Sequence, residues 1–353
     1  MGSNKILMKG NIALCEGAIA AGCDAYFGYP ITPQNEVPAY MSGKMVQLDR
    51  VFVQAESEIS AINMVFGAAV CAKRAMTSSS SPGISLKQEG ISYLCACELP
   101  CLIVNVQRGG PGLGNIAGSQ ADYFQATKGG GHGDYRMIVL APYSVREMYE
   151  FANISFQLSE KYRNPVMILT DGIIGQMMEP VSIEDNKREP ITRSSTDGWC
   201  LGGCLGREPR SIKSLFMTEG VLEKHNYHLK NKYDLIKKNE VRYEEYLTED
   251  AAIVVIAYGI SARIAKSAVR KLREDGIKAG FIRPKTLWPF PYDKISEVSS
   301  CVKKILVAEM NLGQMVEDVR LAVNGKCPVE FIGHPGGGLF TDTEIKEKLA
   351  SMF

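Results

Sequence analysis

A threonine held between two prolines is the first residue of this sequence with a geometry suited to chemistry. Thr32 stands in the segment Tyr29–Pro33. Proline fixes its own φ and restricts the residue before it, so the segment is predicted to be extended and stiff, with the Thr32 hydroxyl aimed rather than merely exposed. The preceding run, Asp24–Gly28, is typical of a strand, and ligands bind at strand ends in α/β sheets. A stiff connection with Tyr29 packed in the core accounts for the local pattern equally well.

A second candidate is a carboxylate at the start of an apolar helix. Gln54–Glu58 leads into Ile59–Ala69, which is almost wholly apolar, so this helix is predicted to be buried on most sides. Backbone N–H groups and the helix dipole stabilise a carboxylate in the first turn of a helix. Glu56 and Glu58 can therefore be interpreted as residues that only stabilise the helix terminus. Glu58 also borders the buried face, where a carboxyl group can exchange a proton with a heterocycle nitrogen. Taken alone, this segment favours the structural interpretation.

The third candidate is an arginine at the end of a buried strand. In Val104–Gly114 the strand ends at Arg108 and passes into a glycine-rich loop. An arginine there can make a two-pronged contact with a carboxylate, and glycines let backbone and substrate approach closely. This pattern favours a function. In the similar loop Gly129–Asp134, His132 has the residue type of a proton shuttle, but a plain loop residue is the simpler interpretation.

A run of four serines follows another predicted strand and precedes a helix. Ser78–Gly83 offers hydroxyls and free N–H groups at a helix start, which form a polar rim that tolerates anions. A serine-rich turn that caps the helix is the structural alternative. The run lacks the Gly-x-x-x-x-Gly-Lys of a Walker loop, and no Gly-x-Gly-x-x-Gly follows the first strand. The sequence therefore gives no support to a stand-alone nucleotide-binding oxidoreductase.

These segments are positioned by helices that alternate with short apolar strands, a pattern that predicts parallel sheets covered on both faces. The fold class is therefore α/β, with two parallel-sheet domains of which the second is smaller. We predict domains at residues 1–181 and 250–353, joined by an irregular or helical connector over 182–249. Within the connector, Glu219–Tyr246 is polar and helix-prone. The main predicted helices are Asn11–Ala21, Glu56–Ala72, Ile84–Cys95, Val145–Lys161, Ile260–Asp275 and Gly313–Val323.

Composition limits the class of protein. A chain of 353 residues is long enough for two domains, and its net charge is +1. Without a basic stripe, a long apolar span or a signal-peptide core, we expect no nucleic-acid partner, no membrane partner and a cytoplasmic location. No cysteine spacing matches a zinc site or an iron–sulfur cluster. Several of the ten cysteines fall in apolar patterns, as free buried thiols do: Cys15, Cys71, Cys95, Cys97 and Cys101.

Taken together, the segments described above resemble those of the α subunits of 2-oxoacid:ferredoxin oxidoreductases. The resemblance covers nearly the whole chain and continues through Asp122–Tyr135 and, in the second domain, Ile282–Pro291. Ser81–Gly90 and Gln125–Tyr135 are most similar to the branched-chain (2-oxoisovalerate) type. The resemblance implies a first domain with the pyrimidine-binding fold of thiamine diphosphate enzymes. It also implies a second domain similar to the C-terminal domain of transketolase.

The resemblance further implies half of a thiamine diphosphate site. Glu58 falls on the glutamate that contacts the pyrimidine ring of the cofactor, and Pro30 and Ile31 lie beside it as further cofactor contacts. Thr32 and Arg108 fall on the residues that hold the keto and carboxylate groups of the 2-oxoacid. Such a glutamate promotes the imino tautomer that deprotonates the thiazolium carbon. Glu58, Thr32 and Arg108 are therefore the predicted catalytic residues, and no residue of this chain is predicted to bind a metal.

The other half of the site is expected from a partner, the β subunit, which would hold the diphosphate and Mg²⁺. In this chain Thr170–Gly172 lacks the paired asparagines that follow Gly-Asp-Gly in that half, so Asp171 is interpreted as structural. The resemblance also implies a γ subunit, ferredoxin-like iron–sulfur subunits, ferredoxin as electron acceptor and coenzyme A as co-substrate, with no cluster in this chain. Contacts between two copies of the chain are compatible with it. The second domain would position coenzyme A or build the subunit interface.

The implied activity is oxidative decarboxylation of a branched-chain 2-oxoacid to acyl-CoA and CO₂, with reduction of ferredoxin. 2-Oxoglutarate or pyruvate is an alternative substrate, because the pocket residues that select the side chain would lie largely on the partner. A non-catalytic assembly subunit is an alternative of a different class. Complexes that carry Glu58→Gln or Arg108→Ala discriminate between these classes, because an assembly subunit would leave them fully active.

Overall fold

The computed structural model describes residues 5–183 and 198–353. Its framework is a seven-stranded sheet, a five-stranded sheet and a separate pair of strands. The strands are β1 Lys5–Lys9, β2 Ala25–Gly28, β3 Val51–Gln54, β4 Ala75–Ser79, β5 Leu102–Gln107, β6 Ile138–Leu140, β7 Val166–Asp171, β8 Met178–Ser182, β9 Tyr243–Tyr246, β10 Ile253–Ile256, β11 Ala279–Pro284, β12 Thr286–Trp288, β13 Lys304–Glu309 and β14 Val329–Gly333. The helices are α1 Gly10–Ala20, α2 Glu36–Gln47, α3 Glu58–Val70, α4 Ser81–Ala96, α5 Val145–Tyr162, α6 Gly172–Gln176, α7 Val221–Asn239, α8 Gly259–Glu274, α9 Tyr292–Ser299, α10 Met315–Val323 and α11 Asp342–Ala350.

The larger sheet has the strand order β12-β6-β7-β5-β4-β2-β3. All its pairings are parallel except that of β12 with β6, which is antiparallel. Every residue of β4, β5 and β7 is buried. Because successive side chains of a strand point to opposite faces, both faces of this sheet are covered.

The smaller sheet has the order β14-β13-β10-β11-β9. Four of its strands are parallel, and β9 adds an antiparallel edge. The predicted α/β class, with two mainly parallel sheets of which the second is smaller, is confirmed.

The predicted helical character of Glu219–Tyr246 is wrong at its end. Helix α7 stops at Asn239, and Tyr243–Tyr246 forms strand β9. Its side chains alternate between exposed and half-buried, and the half-buried Glu244 accepts hydrogen bonds from Arg283 on β11. Residues 198–220 contain no helix or strand. Residues 184–197 of the predicted connector lie outside the described residues.

Helix α2 is absent from the sequence prediction. It contains Pro38 and Gly43, which both disfavour helix interiors. Pro38 is the third residue of the helix, however, and its missing N–H has no intrahelical partner to lose in a first turn. Helix α4 likewise begins at Ser81, three residues before the predicted Ile84, with Pro82 in its first turn.

All ten cysteines are free. Cys15, Cys95, Cys97 and Cys101 are buried as predicted, whereas Cys71 is exposed because it lies at the end of α3. No helix within residues 5–183 and 198–353 is long and apolar enough to cross a membrane.

A buried glutamine joins the two sheets close to the Arg108 loop. The side-chain oxygen of Gln120 accepts hydrogen bonds from the Ser261 hydroxyl (2.8 Å) and the Met310 N–H (3.0 Å). Its amide nitrogen donates to the Tyr258 carbonyl oxygen (2.8 Å). The segment that follows Arg108 is therefore fixed against the second sheet.

A buried ion pair makes a second link. The guanidinium of Arg283 on β11 binds both carboxylate oxygens of Glu147 on α5, each at 2.7 Å, and also Glu244 on β9 at 2.8 Å. Removing one partner of such a group leaves an uncompensated buried charge, so these contacts hold the two sheets in one arrangement.

Candidate active site

The carboxyl ends of β2, β3, β4 and β5 lie along one edge of the larger sheet, and the predicted site residues follow them. Thr32 comes after β2, Glu58 after β3 and Arg108 directly after β5. Parallel strands present their carboxyl ends at the same edge. Three segments that are distant in sequence are thereby brought to one side of the domain.

Arg108 makes the direct contact between two of these segments. Its Nη1 donates to the carbonyl oxygen of Thr32 (3.0 Å), and its Nη2 donates to that of Leu113 (3.0 Å). The side chain is only 7% exposed, and its Nε has no hydrogen-bond partner in the described part of the chain. The guanidinium is thus held rigidly by two backbone groups and retains N–H groups for a ligand.

Thr32 lies in a turn, which corrects the predicted extended conformation. The Gln34 N–H donates to the Ile31 carbonyl oxygen (3.1 Å), and this bond closes the chain into the turn. The Thr32 hydroxyl oxygen accepts from Asn35 Nδ2 (3.1 Å), so its own proton remains available to donate to a ligand. Tyr29 is exposed, so the alternative with this side chain in the core is wrong.

The neighbouring cofactor-contact candidates are also accessible. Pro30 is exposed and Ile31 is half-buried. Both lie in the loop between β2 and α2, next to the Thr32 carbonyl that Arg108 binds. Their predicted cofactor contacts stay a prediction.

Glu58 lies in the first turn of α3 but does not cap the helix. The cap of α3 is Ser57, whose hydroxyl oxygen accepts from the Ser60 N–H (3.2 Å). The exposed Glu56 accepts from the Ser60 hydroxyl. Glu58 is 6% exposed, and within residues 5–183 and 198–353 its carboxyl oxygens accept no hydrogen bond. The carboxyl group of this largely buried side chain is therefore free to meet a ligand.

A glycine leaves the space in front of this carboxyl group. A Cβ atom at Gly83, in the first turn of α4, would lie 2.1 Å from the Ser79 hydroxyl oxygen and 2.5 Å from Glu58 Oε1. Real Cβ contacts are never this short. Gly83 therefore allows Glu58 to lie against the start of α4.

The serine run is buried, and two of its four hydroxyls are unpaired in the described part of the chain. The hydroxyls of Ser79 and Ser80 have no hydrogen-bond partner among the described residues. Ser80 is the residue before α4, but its side chain makes no capping hydrogen bond, so the capping interpretation is wrong at this position. Of these two, Ser79 lies next to Glu58, because both side chains border the Cβ position of Gly83.

Ser81 belongs to a network that the sequence did not reveal. Its hydroxyl donates to Asp122 Oδ2 (2.6 Å), and Asn105 Nδ2 donates to the same oxygen (2.8 Å). The Arg108 N–H donates to the Ser81 hydroxyl oxygen (3.0 Å). Burial raises the pKa of Asp122, against these hydrogen bonds, which lower it. The one signal in the sequence was an asparagine, Asn105, inside an otherwise apolar strand.

The two remaining residues considered from the sequence, His132 and Asp171, are a loop residue and a helix cap. The exposed His132 contacts Tyr93 edge to face, and its backbone carbonyl accepts from Ser92, as a loop residue does. Asp171 caps α6 through the N–H groups of Ile173 and Ile174 (3.0 Å each), which confirms its structural interpretation. Burial raises its pKa to about 6.

Comparison with known proteins assigns the family. Residues 16–201 match the family described as pyruvate flavodoxin/ferredoxin oxidoreductase, thiamine diphosphate-binding. Residues 251–345 match the pyruvate:ferredoxin oxidoreductase core domain II. The chain belongs to the 2-oxoacid:ferredoxin oxidoreductases. The predicted family is therefore confirmed.

Two curated relatives of this oxidoreductase subunit cover nearly its whole length, and both are from Methanothermobacter thermautotrophicus. The ketoisovalerate oxidoreductase subunit VorB is 49% identical over 97% of the chain and 96% of the relative. The 2-oxoglutarate synthase subunit KorA is 38% identical over 99% of both chains.

Solved structures agree with this assignment of the oxidoreductase subunit. The 2-oxoglutarate:ferredoxin oxidoreductase from Magnetococcus marinus, with 2-oxoglutarate, coenzyme A and succinyl-CoA bound, has a TM-score of 0.88 and 26% identity. It covers 99% of this chain, which in turn spans 65% of that longer chain. A split-gene transketolase has a TM-score of 0.60 at 12% identity and shares the fold alone.

Proposed function

We propose that this chain is the α subunit of a thiamine diphosphate-dependent 2-oxoacid:ferredoxin oxidoreductase that acts on a branched-chain 2-oxoacid. The products would be the acyl-CoA, CO₂ and reduced ferredoxin, with coenzyme A as co-substrate. The observation that carries the chemistry is the position of Glu58, a buried residue that lies against Gly83 and whose carboxyl group has no hydrogen-bond donor among the described residues. The branched-chain substrate rests on the identity of 49% with a ketoisovalerate oxidoreductase subunit, against 38% with a 2-oxoglutarate synthase subunit.

The residues at the sheet edge fit the cofactor. When bound, thiamine diphosphate supplies the carbanion chemistry that lets a 2-oxoacid lose CO₂. Glu58 would hold and return a proton at its carboxyl group, and Pro30 and Ile31 would line the ring. Arg108 would bind the substrate carboxylate through the N–H groups of its guanidinium that its two backbone contacts leave free, and Thr32 would donate its hydroxyl proton to the keto oxygen.

The domain organisation forms part of this proposal. Residues 1–181 would make the pyrimidine-binding domain and 250–353 the C-terminal domain, with 182–249 as a connector whose strand β9 joins the smaller sheet. The C-terminal domain would position coenzyme A or contact other subunits. We also propose a cytoplasmic location, since free cysteines are typical of a reducing compartment.

The site would be completed by a β subunit that binds the diphosphate and Mg²⁺. γ and ferredoxin-like iron–sulfur subunits would carry electrons to ferredoxin, and this chain would hold no cluster. The support within this chain is a set of exposed apolar side chains on the loops that follow β5, β13 and β14, which we call the apolar rim: Leu113, Ile116, Leu312 and Leu339. Leu113 and Leu312 are 81% and 82% exposed.

Hydrogen bonds join the loops that carry the rim. Asn115 donates to the Gly336 carbonyl oxygen (2.8 Å), and the Ser119 hydroxyl donates to that of Met310 (3.2 Å). The loops after β5, which Arg108 begins, and after β13 and β14 therefore lie side by side. Large exposed apolar patches mark protein interfaces, and a β subunit seated on the rim would close the site.

Placing a charge on the rim is expected to weaken assembly. Leu312→Glu would bury an unpaired carboxylate in the interface, and we expect the affinity for the β subunit to fall at least about tenfold. Size-exclusion chromatography with light scattering of co-expressed subunits measures this. Val46→Glu is the control, because Val46 is also exposed but lies near the end of α2 that leads into β3, at the opposite edge of the sheet. A stable Leu312→Glu complex would exclude the rim as the interface.

A methyl group at Gly83 is expected to inactivate the site without unfolding the protein. The atoms that its Cβ meets are the ends of the Ser79 and Glu58 side chains, which can rotate away and leave their functional positions. We expect Gly83→Ala to lower kcat by about 100-fold, as a misplacement of about 1 Å does, with a loss of about 1–3 kcal/mol in stability.

The control for this substitution is Gly67→Ala on the exposed side of α3, where a Cβ atom meets nothing within 4 Å. Steady-state rates and urea unfolding of both variants make the comparison. Full activity of Gly83→Ala would show that Glu58 is not needed in its present position.

The function itself is tested with the co-expressed complex. Viologen reduction is measured with 3-methyl-2-oxobutanoate, 2-oxoglutarate and pyruvate, each with coenzyme A and thiamine diphosphate. The proposal expects the highest kcat/KM with 3-methyl-2-oxobutanoate. Activity with 2-oxoglutarate but none with 3-methyl-2-oxobutanoate would replace the substrate and keep the enzyme class.

A further inference from the structure

A fully buried lysine contacts the backbone of Glu58. Lys87, in the second turn of α4, is 0% exposed. Its Nζ donates to the backbone carbonyl oxygen of Glu58 at 3.3 Å, and this long contact is its one hydrogen bond among residues 5–183 and 198–353. A lysine ammonium group has three donors, so two of them have no protein partner in that part of the chain.

The surroundings of Lys87 oppose its charge. Burial lowers the pKa of Lys87 from 10.5 to about 8, and the charge of Glu58 partly offsets this effect. Glu58 is the one titratable group of the described chain that acts on Lys87. A buried lysine with so few partners destabilises the fold relative to an apolar residue of the same size. Features that lower stability in this way are found where function requires them.

A function of Glu58 in proton transfer would require a positive charge nearby. If Glu58 passes its proton to the ring of the cofactor, a carboxylate is left in a buried position, where the described residues offer its oxygens no hydrogen-bond donor. An unpaired buried carboxylate is strongly disfavoured. Lys87 faces Glu58 across the contact between α3 and α4, which share an extensive interface, and it brings the positive charge that can compensate this anion.

We propose that Lys87 is a positioning residue that compensates the charge of the Glu58 carboxylate, with its contact to the Glu58 carbonyl oxygen keeping the ammonium group beside this residue. This inference rests on the proposed function, because it assumes that Glu58 exchanges a proton with thiamine diphosphate. Lys87 acts through Glu58 and does not itself contact the cofactor.

The first test follows the protonation of Glu58 through the cofactor. The near-UV circular dichroism band of thiamine diphosphate in the assembled complex is titrated with pH for the wild type, Lys87→Met and Lys73→Met. Loss of a neighbouring positive charge makes a carboxyl group hold its proton more tightly, so we expect the midpoint for Lys87→Met to rise by about 1 pH unit or more. Lys73 is exposed just beyond α3, and its substitution leaves the midpoint unchanged.

The second test measures stability, which a merely structural lysine would change in the opposite direction. The pKa of Lys87 is lower in the folded chain, about 8, than the ordinary value of 10.5. Between these values the unfolded chain binds the additional proton, so the wild-type chain becomes more stable as the pH rises through this window. The urea midpoint of full-length Lys87→Met is therefore expected to exceed that of the wild type most clearly below about pH 8, and the difference disappears above about pH 10.5.

The outcomes separate this inference from the proposed function. A wild-type complex without a cofactor band means that the proposed function is wrong, and the inference falls with it. A wild-type band together with an unchanged midpoint in Lys87→Met means that only the inference is wrong. A Lys87→Met chain that is less stable than the wild type at about pH 7 also overturns the inference, because Lys87 would then act as a structural support.

Discussion

Glu58→Gln is expected to lower the kcat of the assembled complex by about 10²- to 10⁴-fold, the usual contribution of a positioned acid–base group. Glutamine has nearly the same shape but cannot give up or accept a proton at its side chain. The Glu58 carboxyl group is buried between the start of α3 and Gly83, without a donor in the described parts of the chain. Its loss therefore removes a proton site rather than a structural bond. Initial rates of viologen reduction at saturating cofactor, coenzyme A and 2-oxoacid measure the effect.

The control for this substitution lies two residues away. Glu56 is exposed and contacts only the Ser60 hydroxyl among the described residues, so Glu56→Gln is expected to keep activity within about twofold of the wild type. Equal activity of the Glu58→Gln and wild-type complexes would remove Glu58 from the mechanism. It would also favour the alternative of a non-catalytic assembly subunit.

Arg108→Ala is the second change with a large expected effect. It removes the charge proposed to bind the substrate carboxylate and two hydrogen bonds, to the carbonyl oxygens of Thr32 and Leu113. Hydrogen bonds to charged groups contribute about 1.5–3 kcal/mol each. We therefore expect kcat/KM for the 2-oxoacid to fall by about 10²- to 10³-fold, mostly through a higher KM.

Two further variants show which property of Arg108 causes this loss of activity. Arg108→Lys keeps the charge but loses the planar fork, so its kcat/KM is expected to lie between those of the wild type and Arg108→Ala. Arg320 is exposed on α10, and Arg320→Ala controls for the loss of one positive charge. Steady-state kinetics with varied 2-oxoacid separates kcat from KM. An unchanged KM in Arg108→Ala would exclude Arg108 as the carboxylate ligand.

Much of the fold could be predicted because its central strands are continuous apolar runs. Leu102–Gln107 and Val166–Asp171 are buried at every position, and such strands are recognisable without knowledge of their neighbours. The elements that were missed lack this signal. Tyr243–Tyr246 carries two glutamates and is a strand through its antiparallel pairing with β11, where Arg283 also binds Glu244. This is a tertiary effect that no local pattern contains.

The candidate site was predictable residue by residue but not as an arrangement. Thr32 and Arg108 each stood out in a local segment, whereas their contact joins residues that are 76 positions apart. Asp122 and Lys87 gave no signal, because a charged residue in a polar loop or on a helix is normally exposed. Their burial depends on how α4 packs against α3 and β5, which only the folded chain shows.

The central claim is that this chain supplies the Glu58 half of a thiamine diphosphate site that another subunit completes. Isothermal titration calorimetry tests this claim most directly. Thiamine diphosphate with Mg²⁺ is titrated into the full-length chain alone and into the chain assembled with its β subunit. The account predicts binding to the chain alone that is at least about 100-fold weaker than binding to the complex, or about 2.8 kcal/mol. Equal affinity of the chain alone and the complex would contradict it.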